Sequence, residues 1–343
     1  MSKVKIFIPI IGFFSVSLFS WLILILMWPQ NNTFNTVKIA ISKGSSLAEI
    51  TNQLLDQKII SNRRTFLMAV KAMGHETDIP AGTYRLQEAR TNFQIITQLV
   101  NGTPVLRRVT VLEGWTMETI AENLVQRVGI DKARFLQLCH DTQFIHQLGI
   151  PSTSLEGFLF PETYYFPEGE KEEVIIHTMV EEYRKVMNDK NRARAAELGF
   201  SELELVTLAS IIEGEAIYDS ERPIISGVYH NRLKLGMRLQ ADPTIQYIID
   251  DSPRRLLNRD LKIKSPYNTY LNYGLPPGPI NSPGKESLLA ALYPDDNEYL
   301  YFVARGDGYH TFSITPAEHN KAKRKFQKIR RAARRQKRAE QKD

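Results

Sequence analysis

One glutamate closes an otherwise apolar stretch of the chain. Leu205, Leu208, Ile211 and Ile212 precede Glu213 and supply an apolar surround. Such a surround favours the neutral form of a carboxyl group, and a neutral carboxyl group can donate a proton to a glycosidic oxygen. A glutamate near a helix end is more often an ordinary surface residue. The pattern makes Glu213 the leading candidate for a general acid, with the surface residue as the alternative.

The other nearby carboxylates fit a catalytic pair less well. Glu215 would point about 200° away from Glu213 on a continuous helix, because a turn takes roughly 3.6 residues. Glu221 would lie about 12 Å along the axis, beyond the ~5–9.5 Å separation of paired glycosidase carboxylates, and Gly214 indicates that the helix breaks earlier. Asp242 precedes a proline, which favours a turn residue over a catalytic one. These residues favour a mechanism with one acid.

Polar side chains that could hydrogen-bond to a sugar follow Glu213. The predicted substrate-binding residues are Asn231, Gln240, Asp242, Thr244, Tyr267, Asn268 and Tyr270. The last three lie with Asn272 in a segment rich in proline and glycine, which predicts a loop. Their amide and phenol groups suit the N-acetyl and hydroxyl groups of a glycan.

Aromatic residues are dense between positions 155 and 166. They are Phe158, Phe160, Tyr164, Tyr165 and Phe166. Aromatic rings can stack on sugars, but buried core positions are the commoner use of such residues. We expect core.

Four helices are predicted around the candidate acid. Apolar spacing places them at residues 172–187, 191–197, 202–213 and 223–235. The sequence therefore predicts an α+β fold whose catalytic domain, residues 154–320, is rich in helices and has small strands.

A weak internal repeat precedes this domain. Residues 37–41 and 109–112 read as strands, and each is followed by a glycine, a helix and a second helix. Ser45 or Ser46 and Thr116 stand where helix N-caps belong. Residues 81–86 predict a further strand, residues 92–100 a helix and residues 101–104 a turn. The predicted boundaries are 37–104 for the first module and 105–153 for the second.

Four long motifs resemble one known family. The segments LASIIEGEA, ERPIISGVYHNRLKLGMRLQADPT, SPYNTYLNYGLPPGPINSPG and LEGFLFPETYYF occur in this chain and are similar to those of the endolytic murein transglycosylases, also called MltG or YceG-like. The resemblance covers about residues 37–320. It implies that Glu213, in ASIIE, cleaves peptidoglycan between N-acetylmuramic acid and N-acetylglucosamine with a 1,6-anhydro product. In the family a lysine usually follows this acid, whereas Gly214 follows it here.

The resemblance also implies a cellular role. Family members cut nascent strands near the site of synthesis and end glycan growth, so peptidoglycan synthases are possible partners. The first module resembles LysM, a βααβ unit that in other proteins binds N-acetylglucosamine polymers. A spacer between membrane and active site is an equally good interpretation of both repeats.

The N-terminal segment is apolar enough to cross a membrane. Residues 6–28 contain no charged residue, and about 20 apolar residues span a ~30 Å hydrocarbon core. The alternative, a cleaved signal peptide, has a shorter apolar run and a small-residue cleavage site. Lys3 and Lys5 would leave a cytoplasmic tail of residues 1–5 and export the rest. We expect a single span in the bacterial inner membrane with the catalytic domain outside the cytoplasm.

The charge of the chain is concentrated at its C-terminus. Residues 321–343 hold twelve Lys or Arg against two acids, so the other residues carry −4 of the overall +6. Because the predicted topology exports this tail, we expect no nucleic-acid binding. Attraction to anionic lipid or wall polymer and an idle solvated helix are equal alternatives.

A lone cysteine limits the remaining chemistry. Cys139 cannot form an intramolecular disulfide and reads as a core residue. With His140 and His146 it matches no zinc spacing, so we predict no metal and no cofactor. Two functions outside transglycosylation stay open: a noncatalytic wall-binding scaffold, and a hydrolase that uses Asp242 or Glu215 as a second carboxylate.

Overall fold

The computed structural model describes residues 17, 20–30, 36–41, 44–80, 82–87, 89–102, 105–250 and 252–340. Its strands are β1 (Thr36–Ile41), β2 (Gly82–Gln87), β3 (Leu106–Thr110), β4 (Thr163–Pro167), β5 (Tyr301–Ala304) and β6 (His310–Ser313). Its helices are α1 (Leu47–Asp56), α2 (Arg63–Ala72), α3 (Asn92–Val100), α4 (Met117–Val128), α5 (Lys132–His140), α6 (Thr142–Gln147), α7 (Glu172–Val186), α8 (Asp189–Glu197), α9 (Glu202–Glu215), α10 (Arg222–Lys234), α11 (Asp242–Tyr247), α12 (Lys285–Leu292) and α13 (Pro316–Glu340). This is a helix-rich α+β fold in which the described strands pair as β1–β2, β3–β4 and β5–β6.

Contacts divide the chain into two compact units that do not follow chain order. The first comprises residues 1–109, 124–130 and 164–171, and the second comprises residues 110–123, 131–163 and 172–343. The second repeat of the sequence therefore contributes to both units.

The first unit contains a βααβ arrangement in the order that the sequence predicts. Strands β1 and β2 pair antiparallel, with Thr36 opposite Gln87 and Ile41 opposite Gly82. Ser46 caps α1 in a reciprocal capping box with Glu49, which confirms one of the two predicted caps. Helix α3 has the predicted bounds. The core between these elements consists of buried aliphatic and aromatic side chains, including Ile39, Leu54, Phe66, Tyr84 and Ile96.

Helix α9 is the central helix of the second unit. A capping box of Ser201 and Glu204 starts it. Every residue from 205 to 212 is buried, so the helix has no solvent face over this stretch. It packs against α10, α11 and α12. The helix ends at Glu215, because Ala216 adopts an extended backbone with φ −91° and ψ 128°. The predicted break before Glu221 is confirmed.

The sequence predicts the helices of this unit more accurately than it predicts the strand at 109–112. Helices α7, α8, α9 and α10 start and end within two residues of the predicted positions. The strand predicted at 109–112 is instead β3, which ends at Thr110. Val109 and Val111 are buried whereas Leu112 is 52% exposed, so the alternating apolar pattern ends before Leu112. Thr116 accepts a hydrogen bond from the Thr119 amide at 3.3 Å, as expected of a residue that caps α4.

The dense aromatic segment is mainly core, as predicted. Phe158, Phe160, Tyr164 and Phe166 are buried, and Tyr165 is exposed. Cys139 is also buried.

Most of the predicted span at residues 6–28 lies outside the described residues. Within the part of the chain that the structure describes, no helix is both long enough and apolar enough to cross a membrane. The basic C-terminal segment continues helix α13 as far as Glu340.

Candidate active site

The carboxyl group of Glu213 lies in the last turn of α9, where both of its oxygens accept hydrogen bonds. Oε1 accepts from Nη1 of Arg222 at 3.0 Å. Oε2 accepts from the backbone N–H of Gly284 at 2.9 Å. The side chain is 6% exposed. The apolar residues named from sequence, among them Leu208 and Ile212, are fully buried in the core. The immediate partners of the carboxyl group are a cation and an amide, which corrects the expectation of an apolar surround.

Arg222 is the residue beside Glu213 that the sequence analysis did not name as a site residue. It is the first residue of α10 and is 5% exposed. Besides Glu213, its Nη1 donates to Oγ of Ser287 at 2.6 Å, and its Nε donates to Oδ1 of Asp219 at 2.9 Å. Burial alone would lower the pKa of Arg222, but the charge of Glu213 and the hydrogen bonds to Asp219 and Glu213 outweigh it and raise the pKa. The guanidinium is therefore a fixed positive charge beside the candidate acid.

Gly284 reaches Glu213 because α9 holds the loop that carries it. The Ile280 amide donates to Oγ of Ser210 at 3.1 Å. The side-chain amide of Asn281 donates to the Ser210 carbonyl at 2.9 Å. Ser210 lies one turn before Glu213 in α9, so this helix supplies the acid and also positions the loop amide that binds it.

An open pocket of ≈ 570 Å³ borders Glu213. This volume lies within the roughly 300–1,000 Å³ range of ligand sites. The pocket is lined by Thr110, Val111, Leu112, Glu113, Pro161, Glu162, Thr163, Glu213, Ala216, Ile217 and Arg222. A sugar in this pocket would meet Glu213 and Arg222 together with two further carboxyl groups.

Glu215 has different surroundings from Glu213, as the helical spacing predicts. Its Oε1 accepts from the hydroxyl of Tyr229 at 2.9 Å. Burial raises the pKa of Glu215 to about 7, with a smaller contribution from the charge of Asp242 and against the lowering by Tyr229. Asp242 is the first residue of α11 and accepts from the Tyr270 hydroxyl at 2.5 Å. The two carboxyl groups considered for a second catalytic role therefore interact with each other, on a different face of α9 from Glu213.

Glu221 is held by His310. It is 6% exposed and accepts from the amide and from Nδ1 of His310 at 2.9 and 2.8 Å. Its carboxyl group is thus bound within the protein.

Several predicted substrate-binding residues use their polar groups within the protein. Asn231 and Asn268 donate their side-chain amides to backbone carbonyls. The hydroxyl of Thr244 is buried and bonded to a backbone carbonyl and a neighbouring threonine. Gln240 is exposed with a φ of 49°, and the Tyr267 ring lies 5.1 Å from that of Tyr247. Tyr267, Asn268 and Tyr270 lie on a loop as predicted, while the binding role of all seven residues stays a prediction.

Comparison with known proteins identifies relatives of the chain. Residues 39–325 match the YceG-like family. The chain belongs to this family. An endolytic murein transglycosylase of Bacillus subtilis is 37% identical over 320 residues, which are 87% of this chain and 86% of that protein. One of Streptococcus pneumoniae is 30% identical over 80% of this chain and 55% of its own length. A crystal structure of a YceG-like protein from Listeria monocytogenes superposes with a TM-score of 0.58 at 36% identity, over 83% of this chain and 98% of that one.

The family resemblance predicts a lysine after Glu213, whereas this chain has Gly214 at that position. A Cβ at Gly214 would lie 2.6 Å from Cβ of Pro243, so this chain has no room for a side chain there unless Pro243 moves. The cation beside the acid comes instead from Arg222, nine residues further along the chain.

Proposed function

We propose that this protein is an endolytic lytic transglycosylase that cleaves peptidoglycan between N-acetylmuramic acid and N-acetylglucosamine and leaves 1,6-anhydro ends. The observation that carries the proposal is the Glu213 carboxyl group, held by Arg222 and the Gly284 amide at the edge of an open pocket. Membership of a family whose relatives are named endolytic murein transglycosylases supports the substrate class.

Glu213 would act first as acid and then as base. In its protonated form it donates a proton to the glycosidic oxygen, the C1–O bond breaks, and the muramic ring passes through an oxocarbenium-like state. The resulting carboxylate takes a proton from the C6 hydroxyl while O6 forms a bond to C1. No water is consumed, and Glu213 ends protonated as it began.

Arg222 and Gly284 act on the carboxylate form of Glu213, which exists between the two half-reactions. Both donate to the carboxylate oxygens of Glu213, so they stabilise the charge that appears when the acid gives up its proton. Hydrogen bonds to charged groups contribute more than neutral ones, and here they also fix the carboxylate orientation.

The mass of the product tests this chemistry directly. The purified protein is incubated with peptidoglycan sacculi, and the released glycan ends are analysed by mass spectrometry beside a Glu213→Gln control. Transglycosylation gives ends lighter by one water than the reducing ends that a hydrolase makes. Reducing ends would establish a hydrolase, and cleavage-free binding by both proteins would establish a scaffold.

In the cell, this activity would end the growth of nascent glycan strands next to peptidoglycan synthases. The uncharged run at residues 6–28 supports an anchor in the inner membrane with the catalytic domain outside the cytoplasm. Fractionation of cells with N-terminal sequencing tests the anchor: we expect the full chain in the membrane fraction. Recovery of a chain that begins after residue 28 from the soluble fraction would indicate a cleaved signal instead.

A further inference from the structure

Three exposed apolar side chains continue from the wall of the pocket onto the neighbouring surface. Ile217 is exposed and lines the pocket that contains Glu213. Tyr218 follows Ile217 in the chain, and its ring stacks on that of Tyr309 with 4.2 Å between the ring centroids and 19° between the ring planes. The two tyrosines are 38% and 37% exposed. Single apolar residues are ordinary on a protein surface, whereas a contiguous patch indicates a binding surface.

The segment that carries Tyr218 leaves the pocket wall and returns to it. Ala216 and Ile217 line the pocket at the start of this segment, and Arg222 lines it at the end. Consecutive Cα atoms are about 3.8 Å apart, so the backbone of Tyr218 lies one residue away from the wall. The tyrosine pair, Tyr218 and Tyr309, is therefore a neighbour of the pocket.

Contacts within the protein hold the tyrosine pair in place. Glu221, which is buried, binds the amide and Nδ1 of His310, the residue after Tyr309. The hydroxyl of Tyr218 donates to the Asp307 carbonyl at 3.4 Å. Both rings are thus positioned before a ligand binds, which reduces the entropy that binding costs. These contacts also give the buried carboxyl group of Glu221 a role outside catalysis.

The surface around the tyrosine pair has the chemistry that a sugar requires. The ring faces are apolar, and a pyranose has an apolar C–H face that packs on such rings. Arg305 lies beside them, with Cζ 5.9 Å from the ring centroid of Tyr309. It forms an exposed ion pair with Asp307 at 3.0 Å. Flat apolar rings next to polar groups suit the C–H face of a sugar together with its hydroxyl groups.

We propose that Tyr218 and Tyr309, together with Ile217, form a glycan-binding subsite outside the cleaved bond, where the C–H face of an N-acetylhexosamine of the same strand packs on a tyrosine ring. This inference rests on the peptidoglycan substrate of the proposed function. A sugar strand is the occupant because the patch continues the wall of the pocket that contains Glu213. The subsite makes and breaks no bond. It adds affinity and holds the strand over the acid.

The affinity for glycan strands tests the subsite. Full-length Glu213→Gln, which should bind strands without consuming them, is compared with the same protein carrying Tyr218→Ala, by isothermal titration with solubilised uncross-linked strands. We expect Tyr218→Ala to raise Kd about 3–10-fold, since a ring contact of this kind contributes roughly that factor. Tyr218→Phe in the same background should keep Kd within about twofold, because phenylalanine retains the ring and loses only the hydroxyl.

Tyr293→Ala, in the same background, is the matched control. Tyr293 is 43% exposed, and its hydroxyl donates to Oδ1 of Asn191 at 3.2 Å. It directly follows α12, whereas Gly284 directly precedes this helix. The two residues are therefore about 13 Å apart along the helix axis at a rise of ~1.5 Å per residue. Loss of this tyrosine should leave Kd within about twofold, because it lies away from the pocket.

Two results would overturn the subsite. The first is an equal Kd for the variants carrying Tyr218→Ala and Tyr293→Ala. The second is a Kd for Tyr218→Phe as high as that for Tyr218→Ala, because the hydroxyl contact with Asp307 would then matter and the ring would not. If Tyr218→Ala does not fold by circular dichroism, Tyr218→Leu replaces it with the same expected rise in Kd, since leucine keeps apolar volume without a flat ring.

Failure of this inference and failure of the proposed function are distinguishable. Strand binding that depends on Tyr218, in a wild type that releases no cleaved ends, would overturn the proposed function and leave the subsite. Cleavage by the wild type with a Kd independent of Tyr218 would overturn the subsite alone. A protein that binds no glycan strand would overturn both.

Discussion

Two glutamates at the end of one helix occupy opposite electrostatic environments. Glu213 binds Arg222 and a backbone amide at the edge of an open pocket. Glu215 accepts from the neutral hydroxyl of Tyr229, and burial raises the pKa of Glu215 to about 7. A difference of two positions in α9 therefore separates a carboxyl group that binds a cation from one whose pKa burial raises to about 7.

The two glutamates show that burial of a carboxyl group does not by itself indicate a catalytic role. A raised pKa is often used to identify a general acid, and that criterion selects Glu215, and Glu156 before it, because burial raises the pKa of Glu156 to about 8. Glu215 lies on a different face of α9 from the pocket, however, and interacts with Asp242 and Tyr229. Access to substrate, together with donors that stabilise the charge left after proton transfer, makes Glu213 the better candidate.

The largest difference in cleavage rate is expected between the variants Glu213→Gln and Glu215→Gln. Glu213→Gln keeps the size of the side chain but can neither donate nor accept the catalytic proton, so cleavage of sacculi should fall by about 10²–10⁴-fold or more. Glu215→Gln should retain activity within about tenfold, since its effect passes through packing. The rate of release of anhydro ends, normalised to folded protein by circular dichroism, measures both.

The assignment of Glu213 as the acid fails if the order of these two losses of activity is reversed. Retention of more than about a tenth of wild-type activity by Glu213→Gln, or a greater loss in Glu215→Gln, would show that the acid lies elsewhere.

The sequence predicted the helix and its two faces because these depend on local spacing. The apolar run before Glu213 gives the helix, the 3.6-residue period separates Glu213 from Glu215, and the end of α9 follows from residues around Gly214. The partners of Glu213 come from positions 222 and 284, and no local pattern pairs residues so distant in sequence. The arginine in the ERPIIS motif was a usable signal, because a cation at the start of a helix is unfavourable without an anionic partner.

Arg222 is the partner that distinguishes Glu213 from Glu215, and its removal should have the next largest effect. Arg222→Met deletes a charge-assisted hydrogen bond of about 1.5–3 kcal/mol. Because this bond stabilises the charge that Glu213 carries after it has given up its proton, we expect kcat to fall about 10–100-fold. Steady-state rates on soluble glycan strands measure the loss.

Asp219→Asn is a graded control for Arg222→Met. Asp219 binds Nε of the same guanidinium, but its side chain is 71% exposed, and exposed ion pairs contribute only about 0–1 kcal/mol. The expected loss of kcat is below about fivefold. A loss in Asp219→Asn as large as that in Arg222→Met would contradict a specific role for the contact between Arg222 and Glu213.

The smallest effect concerns stability rather than catalysis, and it arises from Glu215. Its pKa is raised to about 7 in the folded protein, above the ordinary value of roughly 4.3 that it has when unfolded. Between these values Glu215 binds more protons in the folded state than in the unfolded state. Its contribution to the free energy of unfolding therefore falls as pH rises from about 4.3 to 7 and is constant on either side. Glu215→Gln removes this titration, because glutamine stays neutral.

We therefore expect Glu215→Gln to gain stability relative to wild type across this pH window, by a few kcal/mol at most, since one pKa unit corresponds to about 1.4 kcal/mol. Urea unfolding of both proteins between pH 4 and 8.5 measures the difference, with the exposed Glu76→Gln as the control that should run parallel to wild type. Asp242, Tyr229 and Arg232 also act on Glu215, and their effects are included in its raised pKa. A constant difference between Glu215→Gln and wild type would mean that Glu215 is ionised over the whole window, and the contrast with Glu213 would then rest on position alone.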